Sequence, residues 1–461
     1  MAAEHDTHSF TKYGWTVCLW VLTVSFQYGY HTSALNQLQA VLTCKVTNKE
    51  NYPLYYGLPT CIPMSDTTFS VVTAMFTVGG LCGSIFANVA MERWGRKGAT
   101  RASAVLTAVG AALTGLSGSV SPIIVGRFLV GAGAGLGICI SPIYLSEIAP
   151  SKIKGNIGVL TQMAIVVGIM VTQLMGFRFA TPLEWRIVPF ASSALSILQF
   201  LIAPLMIESP SYLERHGMIE QQKTAIQSIW GSQHRIDPEE IDEQAPLLSG
   251  SDGAQEDRRP SITVPQLLST PELRRPLLII TFAMLSTQIS GINAVLYYSN
   301  DILSKSLPEF AAYVSLAITV VNFLMTFPPI FLIERVGRKQ LYQLSVGGAL
   351  ISHLAVGYGL DSGFATLSSI AITTFVMSFA IGLGPVPFVI LPEVAPPHAS
   401  SAISSLGLSL NWIINFLVGL VFLPLRNLLA SGDPMKEGRV FYVFAAALLS
   451  STFVLSRLYR G

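Results

Sequence analysis

Asparagine and glutamine interrupt the apolar stretches of this chain at Gln162, Gln288, Asn293, Asn322, Asn411 and Asn415. Rings stand close by at Tyr297, Tyr298, Phe379, Phe388 and Trp412. Neutral amides both donate and accept hydrogen bonds, and flat rings offer apolar walls, so together they suit a ligand that presents hydroxyls and C–H faces. The alternative is that amides inside apolar helices simply tie helices together. Gln288 and Asn293 flank Gly291, and a pair of amides beside a break argues for binding. Asn415 reads better as helix packing. Gly131, Gly133, Gly135 and Gly137 are followed by no Lys-Ser/Thr, so they suit close helix approach rather than a phosphate loop. With no catalytic triad, metal cluster or nucleotide motif, the expected chemistry is binding and release. No enzyme activity, cofactor or metal is expected.

A second group is charged. Arg93, Arg96, Glu147 and Lys154 fall in one part of the chain, and Glu334, Arg335, Arg338 and Glu393 in another. Acids beside bases suit ion pairs that form and break as helix ends meet and part. Bases alone would only hold loops on one side of a membrane. His31 and Arg127 are the ionisable groups expected deep in the first part. Arg127 reads as structural, whereas His31 titrates near neutral pH and is a candidate proton site. Cys44 and Cys61 share one loop and can form a disulfide, although five cysteines are too few for a disulfide scaffold.

The elements that must position these groups follow from composition. Of 461 residues 51% are hydrophobic and only 12% charged, with a net charge of +2. A soluble domain carries about a quarter charged residues. The near-zero balance lacks the basic stripe of a nucleic-acid binder, and the hydrophobicity excludes a disordered chain. A polytopic membrane protein in a lipid bilayer remains. Apolar runs long enough to span lie near 13–35, 67–90, 102–120, 122–145, 157–177, 187–208, 276–299, 311–333, 341–360, 367–391, 401–424 and 438–457. This predicts an all-α protein of twelve transmembrane helices. The excess of Lys and Arg on the side of the termini makes that side cytoplasmic.

Two motifs recur in register. Arg93-Trp-Gly-Arg-Lys-Gly98 follows the second run and Arg335-Val-Gly-Arg-Lys-Gln340 the eighth. Pro142-Ile-Tyr-Leu-Ser-Glu-Ile-Ala-Pro150 ends the fourth and Leu391-Pro-Glu-Val-Ala-Pro-Pro397 the tenth. The repeat predicts six-helix halves over 1–208 and 276–461, joined by a cytoplasmic linker over 209–275, with a site at the midplane between them.

These motifs, with Glu208-Ser-Pro-Ser-Tyr-Leu213, Gln288-Ile-Ser-Gly-Ile-Asn-Ala-Val-Leu-Tyr-Tyr298 and Gly384-Pro-Val-Pro387, resemble the sugar porter family of the major facilitator superfamily, and within it the facilitative glucose transporters. The resemblance covers almost the whole chain. It implies alternating-access transport of a monosaccharide, a hexose such as glucose foremost. It also implies that Gln162, Gln288, Asn293, Asn322 and Asn411 hydrogen-bond the sugar, with Phe388 as an apolar wall. Departures are visible. Thr287 replaces the first of two glutamines, Phe388 a tryptophan, and Ala380 a glutamate common in glucose transporters. Gly29-Tyr30-His31 stands where proton-coupled members read Gly-Tyr-Asp, which favours uniport over proton coupling. Ser211 and Ser400 replace motif arginines, leaving His398 as the nearby cation at Ser400, so the cytoplasmic latch is expected to be weak. A polyol carrier and a non-transporting sugar receptor are the alternatives. The short stretch after the last run favours transport over a receptor.

Within the linker, Glu243 precedes Leu247-Leu248 in a polar, flexible stretch, the form of an acidic dileucine sorting signal read by an adaptor. It points to a vacuolar or lysosomal membrane rather than the plasma membrane. A functional monomer with no nucleic-acid partner is expected.

Overall fold

The computed structural model describes residues 10–35, 38–45, 54–55, 57–150, 153–231, 262–293, 311–431, 433 and 436–459. Every expected apolar run contains helix. The first is α1 (Lys12–Ser33), whose start is capped by Thr11 Oγ1 accepting from Gly14 N at 3.0 Å. One helical turn, Gln39–Leu42, and a two-residue antiparallel pairing of Leu54–Tyr55 with Leu58–Pro59 lie in the loop that follows.

The next two runs are the arms of α2 (Asp66–Gly115), which folds back at Gly95. There φ is +71° and an added Cβ would strike the Glu208 carboxylate, so the turn is open only to glycine. Then come α3 (Val120–Ile148), α4 (Lys154–Phe179) and α5 (Ile187–Ile202). Short helices α6 (Pro210–Arg215), α7 (Ile219–Trp230) and α8 (Val264–Ser269) lie in the linker.

Beyond it α9 (Arg274–Ile289) stops before Gly291, where φ is +77°. The eighth run is broken at Thr326 into α10 (Ala311–Met325) and α11 (Phe327–Val336). Pro328 and Pro329 sit in the first turn of α11, where a missing N–H costs nothing. After α12 (Arg338–Asp361), the tenth run is α13 (Ala365–Ser378), a π-helical turn over Phe379–Leu383, and α14 (Val386–Val394). Two long helices, α15 (Ser400–Ala430) and α16 (Arg439–Leu458), complete the chain.

Among the described residues, eight helical segments are long and apolar enough to cross a membrane. That number falls below twelve for physical reasons. One segment holds both arms of α2, α9 has only 16 described residues, and α1 and α12 carry more polar side chains.

The outer surface is apolar, with Ile351 71% and Leu428 74% exposed, as lipid contact requires and water would penalise. Inside, small residues allow close approach. An added Cβ at Gly131 or Gly135 would collide with the backbone of Phe76 or Gly80 on α2, and one at Gly133 would meet Ser103 and Thr107 on its other arm. Serines seam α15 to its neighbours. Ser409 and Ser84 share a hydrogen bond of 3.0 Å, and Ser404 Oγ donates to Cys139 O at 3.0 Å.

Candidate functional site

Gln162 of α4, Gln288 of α9, Asn293 beyond the Gly291 break, Asn322 of α10, Phe388 of α14 and Asn411 of α15 line one cavity of about 70 Å³. All six binding residues chosen from the sequence thus meet at one place. The cavity is smaller than the roughly 300–1,000 Å³ of ordinary small-molecule sites. Its amides occupy one another instead. Asn293 Nδ2 donates to Gln288 Oε1 at 2.7 Å and Gln288 Nε2 to Asn411 Oδ1 at 3.1 Å. Asn293 Nδ2 also reaches Asn415 Oδ1 at 2.9 Å, which joins Asn415 to the same chain of amides. Two residues that line this space, Asn322 and Trp412, each carry a buried polar atom, Oδ1 and Nε1, with no hydrogen-bond partner among the described residues. An acceptor and a donor left without partners on residues of one cavity are groups that a ligand with hydroxyls would satisfy.

Sequence reasoning passed over two wall residues, Tyr28 and Thr32 of α1. Their spacing of four residues puts both on one helix face, a signal that an all-apolar reading of α1 hides. The Tyr28 ring meets Trp412 edge-on at 5.6 Å. Thr287 also lines the cavity, but its hydroxyl donates to Leu383 O at 3.0 Å. It ties α9 to the broken tenth crossing and does not extend toward a ligand as a glutamine would. Tyr297 and Tyr298 lie outside the described residues.

Charges gather at the end of the molecule that carries the Gly95 turn. Arg96 is buried there and grips Glu147 at two points, Nε to Oε2 and Nη2 to Oε1, both 2.9 Å. The Glu208 carboxylate accepts the backbone N–H of Arg96 at 2.8 Å and of Ser209 at 2.9 Å. Burial pushes the Glu208 carboxyl above its ordinary range, against the pull of those N–H groups. Arg338 reaches Glu334 at 2.8 Å and Glu393 at 2.8 Å. Burial disfavours the Arg338 charge, but its hydrogen bonds to both acids outweigh it and raise the guanidinium above its usual value. Arg93 and Arg335 take no part in an ion pair among the described residues.

A further cation stands beside the first of these clusters. Arg215, four residues after Ser211 and so on the same helix face, lies 3.7 Å from Glu147 and donates to Pro397 O at 3.0 Å. Ser401 Oγ donates to Glu92 Oε1 at 2.6 Å, a second bond between residues far apart in the chain. These contacts join residues of the first part of the chain to residues near the start of α15. Thr11 N, bonded to Ile229 O, and Leu458 O, bonded to Arg275, place both described ends of the chain here too.

His31 faces away from the cavity. Ser192 Oγ spends its hydrogen on Gln27 Oε1 at 2.8 Å, so at 2.5 Å it accepts from His31 Nε2. The ring therefore holds α1 to α5 as an Nε2–H donor. Arg127 is buried, donates to His31 O at 3.0 Å and lies 4.6 Å over the Phe76 ring. A disulfide joins Cys44 to Cys61. The joined loop is docked by Trp185 Nε1 donating to Thr60 O at 2.8 Å, and its two flanks are tied to each other by Ile62 N donating to Leu42 O at 2.9 Å. Glu243, Leu247 and Leu248 lie outside the described residues.

Residues 17–459 match the family model described as Sugar (and other) transporter. The chain is 30% identical over 445 residues to the probable metabolite transport protein YBR241C of Saccharomyces cerevisiae, covering 94% of this chain and 90% of that protein. It is 33% identical over 417 residues to human solute carrier family 2, facilitated glucose transporter member 14, covering 86% and 77%. A further yeast relative, vacuolar protein sorting-associated protein 73, is 29% identical over 477 residues, covering 99% and 95%. Among solved structures, the major facilitator proton:xylose symporter XylE superposes with a TM-score of 0.78 at 18% identity, covering 96% of this chain and 95% of that one.

Proposed function

This chain belongs to the Sugar (and other) transporter family of twelve-helix major facilitator proteins, a family of membrane transporters and not of enzymes, and we propose that it carries a hexose such as glucose down its gradient by alternating access. The observation that carries the reading is the amide-lined cavity in which Asn322 Oδ1 and Trp412 Nε1 lack partners. Sugar hydroxyls would bond these atoms and displace the Gln288–Asn293–Asn411 bonds. Gln162 and Phe388 complete the wall. Relatives named as facilitated glucose transporters support the hexose.

In this reading residues 1–208 and 276–461 rock about the cavity, with 209–275 as the linker. The cluster around Arg96 and Glu147, and that around Glu334, Arg338 and Glu393, hold the linker end shut, with Arg93 and Arg335 beside them. That end is cytoplasmic. His31 favours uniport, because its ring is committed to Ser192. The dileucine at Leu247-Leu248 places the carrier in a vacuolar membrane by recruiting a sorting adaptor. The yeast relative named for vacuolar protein sorting is consistent with that address.

Uptake of labelled hexoses and polyols into proteoliposomes, with and without a pH gradient, tests the reading. Hexose entry that is saturable and moves no protons is expected. Polyol-selective uptake would overturn the substrate, and sugar-driven acidification that vanishes in His31→Asn would overturn uniport. Imaging a tagged chain against its Leu247→Ala/Leu248→Ala variant tests the address, which fails if both label the cell surface alike.

A further inference from the structure

The two arms of α2 spread apart from the Gly95 turn, and α3 lies behind them. An added Cβ at Gly83 of the first arm would strike Ala132 O, and one at Gly110 of the second would strike Gly126 O. Between the arms this leaves a lateral groove of about 940 Å³, far larger than the amide-lined cavity. Phe86 and Val89 line one side, Val105 and Leu106 the other, and Phe128 and Leu136 the back. Phe86, Val89 and Val105 are exposed. Because both arms belong to an apolar membrane-crossing segment, the groove opens toward acyl chains and not toward water.

Its mouth at the turn is different. Arg93 on the first arm and Arg101 on the second both line the groove, and neither forms an ion pair among the described residues. Arg101 lies 5.1 Å over the Phe200 ring, which holds its guanidinium at the rim. Their neighbour Arg96 is already taken up by Glu147. A deep apolar slot that ends in two guanidinium groups without an ion pair among the described residues matches one molecule at hand in a bilayer. A phospholipid has an acyl chain for the slot and a phosphate for the arginines, which bind phosphate oxygens in pairs of hydrogen bonds. A second negative charge on the headgroup would occupy the second arginine. We propose that this groove is a binding site for an anionic phospholipid, with one acyl chain between the arms of α2 and the headgroup held by Arg93 and Arg101.

The experiment uses the full chain, delipidated in detergent and titrated with dioleoylphosphatidylserine or dioleoylphosphatidylcholine under native mass spectrometry. Phosphatidylserine should bind at least fivefold more tightly. Arg93→Gln and Arg101→Gln should each weaken it about fivefold, as loss of one basic residue near an anionic lipid does. The lysine versions, which keep the charge but lose the paired hydrogen bonds, should bind more tightly than the glutamine versions and less tightly than the wild type. Ala102→Phe fills the groove, leaves both arginines in place and should weaken both lipids. Arg178→Gln, in an exposed ion pair with Glu184 remote from the groove, serves as the control and should change nothing. Equal binding of the two lipids would overturn the proposal, as would undiminished phosphatidylserine binding in a folded Arg93→Gln/Arg101→Gln chain. Displacement of the lipid by inorganic phosphate alone would mark a free-anion site and overturn it as well.

Discussion

Asn293 Nδ2 donates to Gln288 Oε1 at 2.7 Å, so the two amides that flank the Gly291 break are bonded to each other. Gln288 in turn holds Asn411 of α15 at 3.1 Å. One side chain therefore joins the broken crossing to the helix opposite, and a ligand entering here must replace bonds that already exist. Gln288→Ala removes both bonds, takes the donor from Asn411 Oδ1 and leaves Asn293 with Asn415 alone. Sugar affinity should fall by about 1–3 kcal/mol, the cost of leaving buried polar groups unpaired, while the purified protein stays folded. Equilibrium binding in detergent and uptake kinetics in proteoliposomes check this. Unchanged kinetics would remove Gln288 from the site.

The Arg96–Glu147 pair is closed to solvent on the arginine side and 12% exposed on the glutamate side. Removing Glu147 leaves buried Arg96 with only the longer Glu92 contact at 3.8 Å, so the cost approaches but does not exceed the roughly 3–5 kcal/mol of a fully stranded buried charge. Glu147→Gln should therefore lower thermal stability more than Glu393→Gln, because the Arg338 cluster is more exposed. If the linker end must part during transport, Glu147→Gln should also make that end easier to open. Cysteine labelling of an engineered site at Pro397 measures the opening, and an unchanged labelling rate would separate the pair from gating.

Sequence reasoning reached the fold because lipid makes the signal strong. A helix must cross about 30 Å of hydrocarbon, and runs of that length stand out. It reached the amides for the same reason, since a neutral polar side chain inside an apolar run is conspicuous. It missed Tyr28 and Thr32, whose polar atoms sit among large apolar neighbours and whose pairing appears only at helical spacing. Arg215 was also missed. A motif that reads Ser211 where an arginine is usual suggests a loss, and only geometry shows a guanidinium one turn later lying near Glu147. The mutual bonding of the cavity amides was equally illegible, because it depends on how α9, the segment beyond Gly291 and α15 approach.

The Cys44–Cys61 bond closes a loop with a sequence separation of 17. In the chain-entropy picture a loop of that size contributes about 3 kcal/mol by restricting the unfolded chain. The loop is also pinned by Trp185 and Arg186, so its docking does not rest on the disulfide alone. Reduction should lower the melting temperature of the purified protein, and Cys44→Ser/Cys61→Ser should reproduce the shift and abolish any further effect of reductant. A reductant effect that persists in the double variant would place it elsewhere.

Glu208 gives the stability a pH dependence of definite sign. Its carboxyl is raised above the ordinary value by burial, even though backbone N–H groups of Arg96, Lys97 and Ser209 favour the charged form. The folded protein thus binds this proton more tightly than the unfolded chain does. Such a group contributes stability that is fully present below the unfolded value and is lost as pH rises through the folded one. Glu208→Gln removes the titration and keeps an acceptor for two of the backbone donors. The melting temperature of the wild type minus that of the variant should therefore be larger near pH 4 than near pH 7, on either side of the ordinary carboxylate range. Thermal melts of both proteins in the same detergent measure this difference directly. A gap that narrows on acidification would mean that the N–H groups outweigh burial and hold the carboxylate ionised.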